Sequence, residues 1–272
     1  VIQALKRQFR RNLAFFKLAI VTSFEYRLNY VIDAFAQPII VSGVEIVFWS
    51  AVFSTSGKST IGGFSRESYL SYAILAAFIA RISVNWMYEF RMVEEVESGT
   101  LNTLLVRPMN FFEYYLSQFM GYKLVTTALS VTVPLLTVWL IGLPLIWSHL
   151  IPAILLAMYY LVFLYVLSFI IMTFAFHLTR IHSITVGKNL ALWIFSGELL
   201  PLDLFPEPYR HILISLPFSS GVYVPVAYLS GRIDDRYLWS GVQSITLGIF
   251  VLSTIAFPMW KWGIRKYTGI GA

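Results

Sequence analysis

The stretch VEEVESGTLNTLLVRPMN, Val93 to Asn110, differs in kind from the chain on either side of it. Glu94, Glu95 and Glu97 fall within four residues, then come Gly99, Thr100, Arg107 and Pro108. Long apolar runs flank the segment. A chain that leaves an apolar phase and returns to it would place its polar residues in this way.

The rest of the sequence supports that frame. Of 272 residues, 58% are hydrophobic and only 12% are charged. A soluble domain carries about 25% charge, so this chain has too little to cover a water-facing surface. The mean hydropathy of +0.71 points the same way. The class is an all-α polytopic membrane protein. With no cysteine, disulfide frameworks and thiol chemistry are excluded. The net charge of +6 fits an anionic cytoplasmic leaflet better than nucleic acid, and no nucleic-acid partner is expected.

A spanning helix needs about 20 mostly apolar residues. Six segments meet this: about Arg27 to Phe53, Glu67 to Phe90, Tyr114 to Ile141, Leu150 to Leu178, Ser183 to Leu204 and Tyr237 to Trp260. The fifth looks interrupted. Together with its loops, the whole chain, 1–272, reads as one transmembrane domain. Ahead of the spans, residues 1–24 interleave Lys6, Arg7, Arg10, Arg11 and Lys17 with Leu13, Phe15, Phe16 and Leu18. There is no cleavage site, and the pattern predicts an amphipathic interfacial helix.

Lysine and arginine set the orientation. One side collects thirteen: Lys6, Arg7, Arg10, Arg11, Lys17, Arg27, Arg91, Arg107, Arg180, Lys188, Lys261, Arg265 and Lys266. The other collects five: Lys58, Arg66, Arg210, Arg232 and Arg236. Both termini and residues 91–110 are therefore expected in the cytoplasm, and 205–236 outside. A seventh span over His211 to Leu229 would contain Pro217, Gly221 and Pro225 and would move Lys261, Arg265 and Lys266 outside, so six spans stand.

Within the opening segment, helix two continues past the membrane and ends near Gly99, a natural residue just beyond a helix C-terminus. Thr100 can cap a short helix in which Leu101, Leu104 and Leu105 share one face. Pro108 suits the first turn of the next helix. Phe111, Phe112, Tyr114 and Tyr115 then read as an aromatic interfacial belt. From spacing alone, two readings stand: a connecting loop whose leucines dip into lipid, or a docking helix showing its leucines and acids to a partner.

The run ESGTLNTLLVRPMN resembles the cytoplasmic-loop signature of bacterial type-2 ABC transporter permeases, in particular the stand-alone six-span subgroup with a G-x-L-x-x-x-L-x-R-P core. EYRLNYVID, IGGFSRESYLSY, SGELLPLDLFPEPYRHILISLPFSSGVYVPVAYLSG and WKWGIRKYTGIGA agree in order, so the resemblance covers essentially the whole chain. It implies a permease subunit of an exporter in the bacterial plasma (inner) membrane. Two permeases, identical or sister chains, would pair and bind two separate ATPase subunits. ATP and magnesium would sit on those partners, with no cofactor in this chain. The loop would supply a coupling helix, with Glu94, Glu95, Glu97, Gly99, Thr100, Leu101, Leu104, Leu105, Arg107 and Pro108 at the ATPase contact. The late segment would form re-entrant outer helices, with Pro201, Pro206, Pro208 and Pro217 in an external gate.

The chain shows no catalytic motif of its own. TSGKST imitates the end of a phosphate-binding loop, but the pattern needs glycine where Val52 stands. The histidines are scattered, with no metal-binding spacing, and no nucleophile elbow occurs. Ionisable residues inside spans are the better pointers, because lipid makes them costly. These are Asp33, Glu45, Arg81 and Glu198. Glu45 lies about 12 Å and Arg81 about 21 Å from the outer ends of their helices, with Asp33 deeper, so Arg81 could pair with either acid. The pair would lock spans one and two or wall a translocation path. Glu198 sits where helix five breaks. An ion-coupled secondary transporter is the alternative, but it would carry matched broken helices in an inverted repeat. A membrane-embedded enzyme is a more distant one.

Overall fold

A computed structural model describes residues 2–25, 27–83, 86–107, 109–142, 145–178 and 181–267. The described chain is nearly all helical: eleven α-helices, four short 3-10 turns and one two-residue hairpin. The helices are α1 (Ile2–Glu25), α2 (Arg27–Ser56), α3 (Arg66–Ser83), α4 (Trp86–Glu97), α5 (Leu101–Leu105), α6 (Phe111–Ile141), α7 (Leu150–Thr173), α8 (His182–Phe195), α9 (Tyr209–Ser215), α10 (Tyr223–Leu229) and α11 (Asp235–Lys266). The hairpin pairs β1 (Thr60–Ile61) with β2 (Phe64–Ser65). Among the described residues, three stretches are long and apolar enough to cross a membrane: Pro38–Ser56, Trp147–Phe176 and Asp235–Lys266. At the expected fifth span stands α8, whose 14 residues rise about 21 Å, short of a bilayer core of about 30 Å.

Helix α7 is the centre of the bundle. Tyr160, Phe163, Tyr165 and Phe169 are all at most 2% exposed, and they pack α3, α6, α10 and α11 around them. Small residues let α11 approach: an added Cβ at Gly248 would lie 2.8 Å from the Phe163 ring. By contrast, α2 and α11 leave wide apolar faces bare, with Val47 71% and Phe250 67% exposed, as lipid-facing helices do.

Helix α1 lies along α6 and runs in the same direction. Gln8 and Asn12 donate hydrogen bonds to Glu113 at 2.5 and 2.9 Å, the Phe15 and Tyr114 rings meet at 4.8 Å, and Phe16 presses on Gly121. An added Cβ at Gly121 would come within 2.5 Å of the Phe16 carbonyl oxygen. The expected aromatic belt is instead used for packing. Phe112 meets Tyr165, Phe169 and Phe257, and Phe111 meets Trp260, at centroid distances of 5.0 to 5.5 Å. Aromatic side chains of α7 and α11 converge on the start of α6, which favours ring-on-ring contact over exposure at the interface.

The segment 205–236, expected outside, is not a surface loop throughout. All seven residues of α10 are buried, as are Ser219, Ser220 and Gly221 before it. An added Cβ at Gly221 would strike the Tyr160 ring at 2.4 Å. Tyr160 lies ten residues into α7, so residues 217–229 reach about 15 Å along that helix.

Candidate functional site

The short helix α5 is suspended between α4 and α6. Gly99 has φ +76°, the left-handed conformation that ends α4 without a Cβ penalty. Thr100 does not cap α5 as expected. It has helical φ and ψ and makes no side-chain cap bond; its hydroxyl shares a 2.8 Å hydrogen bond with Ser98. The cap that does form is Asn110, whose Oδ1 accepts from the Phe112 and Glu113 amides at 3.0 and 3.4 Å. Helix α6 therefore starts at Phe111, not in a turn opened by Pro108, and Pro108 itself lies outside the described residues.

The leucines are corrected too. Leu101 is 0% and Leu104 7% exposed, and Leu105 is half-buried. They join Met92, Val93 and Val96 in the core, so they anchor α5 rather than face outward. What faces outward is Thr103, Val106 at 83% exposure, and Arg107. Glu94 and Glu97 are also exposed. Glu95 turns inward, accepting from the Tyr115 hydroxyl and pairing with Arg91 at 3.4 Å.

The charges expected inside spans form a second group. Arg81 is 7% exposed. Glu198 lies within electrostatic reach of Arg81 and of Glu45. Glu198, just past the end of α8, is thus an acid near Arg81 that the expected pairing with Asp33 or Glu45 did not include. The side chain of Asp33 lies outside the described residues. Lys123 of α6, 1% exposed, donates to the Arg81 carbonyl at 3.4 Å and stands over the Tyr122 ring.

At the break itself, Gly197 has φ +81°. Its carbonyl accepts from the Tyr72 hydroxyl at 2.7 Å, and the Tyr223 amide donates to the Ser196 carbonyl at 2.8 Å. The Tyr223 hydroxyl reaches Asp203 at 2.9 Å, and Arg232 holds Asp203 at 3.3 Å while lying 3.4 Å over the Phe64 ring. Of the four gate prolines, Pro201 is buried at this joint and Pro217 opens the 3-10 turn before α10; Pro206 and Pro208 are exposed. In α10, the pKa of the Tyr228 hydroxyl is pushed up to about 12 by its hydrogen bond to Asp235.

A family model described as ABC-2 family transporter protein matches residues 39–271. The chain belongs to the ABC-2 transporter family. No curated protein matches it. Membership makes it a membrane component of an ABC transporter, a class that works with ATP-binding subunits in the lipid bilayer.

In this ABC-2 transporter two further charged residues stand out that sequence reasoning missed. Glu89 of α4 is 0% exposed and forms an ion pair with Lys188 of α8, and the Ser168 hydroxyl of α7 donates to the same carboxylate oxygen. The signal was present. Glu89 lies three, four and seven residues before Met92, Val93 and Val96, so it shares their apolar face. Tyr72, Tyr223 and Arg232 were missed as well. Their importance comes from long-range contacts that no local pattern marks.

Proposed function

We propose that the chain is the membrane-spanning permease subunit of an ABC exporter. It works as a dimer, with a second copy or a sister permease, in a plasma membrane with both termini in the cytoplasm. Two separate ATPase subunits, carrying ATP and magnesium, dock on α5. The six-span arrangement, the re-entrant outer segment and the export direction follow from the resemblance and from the lysine and arginine bias.

The observation that carries the reading is α5 itself. It is a five-residue helix anchored by buried leucines, and it displays Thr103, Val106 and Arg107 beside Glu94 and Glu97. A lone valine with 83% exposure beside charges of both signs suits a protein contact with an apolar centre and polar rim. Docked ATPases closing on ATP would push α5, and α4 and α6 would carry the push into the bundle. Arg81, Glu198 and Glu45 would line the path, and the Gly197–Tyr72–Tyr223 joint would hold its outer end.

The test is Val106→Asp combined with Arg107→Glu, with the chain expressed beside its ATPase. Both side chains are exposed, so folding is expected to survive, as read by size-exclusion of the detergent-solubilised protein. Co-purification of the ATPase and ATP-driven transport are expected to fall at least tenfold. Unchanged co-purification and transport would refute docking at α5. Aspartate at Leu101 or Leu104 would not serve, because both lie in the core.

A further inference from the structure

The buried ion pair between α4 and α8 has no role in the reading so far. Glu89 and Lys188 have side-chain exposures of 0% and 9%. A second contact joins the same helices: the Phe90 and His182 rings stack at 5.1 Å with planes 20° apart. The two contacts are separated by six residues, about 9 Å, along α8. Two points of attachment fix both the position and the tilt of one helix on another.

Stability alone is a poor reason for this pair. Desolvating two charges costs enough that an apolar pair of similar volume often does as well or better. One carboxylate oxygen of Glu89 is also buried without a hydrogen-bond partner among the described residues, a further cost. What an ion pair supplies that apolar packing does not is a single geometry, because sliding either helix would strand a buried charge.

The location gives that geometry a use. From Glu89, α4 runs unbroken to Glu97 and then, through Gly99, to α5. From Lys188, α8 runs unbroken to its end at Phe195, two residues before Gly197, whose carbonyl Tyr72 holds. Ser168 ties the same carboxylate to the central helix α7. The pair therefore sits midway between the exposed end of α5 and the break in the fifth helix.

We propose that Glu89 and Lys188 are positioning residues that keep α4 and α8 a single moving body through the transport cycle. A push on α5 then reaches the joint at Gly197. The inference rests on the docking reading of α5. Two readouts keep the two claims apart: ATPase co-purification tests docking, and transport per ATP hydrolysed tests the joint.

The chain has no cysteine, so pairs can be introduced without removing any. Phe90→Cys with His182→Cys, joined by a short bifunctional methanethiosulfonate, locks the two helices while leaving the ion pair intact. The linked transporter is expected to keep its ATPase and at least half of its ATP-driven transport. Transport that stops on linking and returns on reduction, with the ATPase still bound, would overturn the proposal, since the joint would then have to open. In the unlinked chain, Glu89→Gln is expected to keep ATPase co-purification and lose at least tenfold in transport per ATP. Glu89→Lys with Lys188→Glu is expected to restore part of it. Unchanged transport per ATP in Glu89→Gln would also overturn it.

Discussion

Replacing Gly197 by alanine tests how tightly the break in the fifth helix is built. Gly197 sits at φ +81°, where an L-residue costs about 1–2 kcal/mol. The new Cβ would lie 2.7 Å from the Tyr223 Cβ, an atom that no rotamer change can move aside, and overpacking of this kind costs about 1–3 kcal/mol. It would also lie 3.0 Å from the Tyr72 hydroxyl and displace it from the Gly197 carbonyl, at about 1 kcal/mol. The sum is about 3–6 kcal/mol, or a fall on the order of 10 °C in the temperature at which half of the solubilised protein loses its monodisperse peak. Gly187→Ala, inside the preceding helix α8, is the control. Nothing lies within 4 Å of a Cβ there, and alanine favours helix by up to about 1 kcal/mol. Gly187→Ala is thus expected to match or exceed the parent protein. Equal stability and transport in both variants would refute the claim that Tyr72 and Tyr223 clamp the break.

Two other perturbations address the charges. Burial pushes the Glu113 carboxyl up, but hydrogen bonds from Asn12 and Gln8 and the Arg11 guanidinium outweigh it and hold it below the usual value of 4.5. A carboxyl lowered in the folded state stabilises it fully above that value and loses the effect as pH falls through the lowered one. Protection of α1 from protease is thus expected to weaken in acid below about 4.5 in the parent and to lose that pH dependence in Glu113→Gln; identical acid profiles would contradict the assignment. Arg81→Ala is expected to reduce assembled transporter or transport by removing the cation beside Glu198, and adding Glu198→Gln is expected to recover part of the loss. Normal expression, dimerisation and transport in Arg81→Ala would show that neither assembly nor transport needs the buried Arg81.

The helical class and the polar segment between apolar blocks were legible because both rest on composition and on 3.6-residue periodicity. So was the stop at Gly99, since a left-handed residue leaves a glycine in the sequence. The facing of α5 was not. Leu101, Leu104 and Leu105 announce an apolar stripe, but only the approach of α4 decides whether it meets a partner or the chain's own Met92, Val93 and Val96. Asn110 could have been preferred to Pro108 as the start of α6, because Asn110-Phe-Phe-Glu113 has capping-box spacing. Arg81 shows the limit most clearly. Its place on the helix was readable, but the Glu198 carboxyl that its charge reaches comes from beyond the end of α8, 117 residues later in the chain.

The most direct test of the account is a single cysteine at Val106, carrying a benzophenone, in a chain that has no other cysteine. On illumination of membranes that also contain the ATPase, the cross-linked partner is expected to be a protein that azido-ATP labels. The same probe at the exposed Lys58, predicted to lie on the opposite side, is expected to give no such product. An ATP-labelled partner captured from Lys58→Cys and not from Val106→Cys would contradict both the docking site and the orientation.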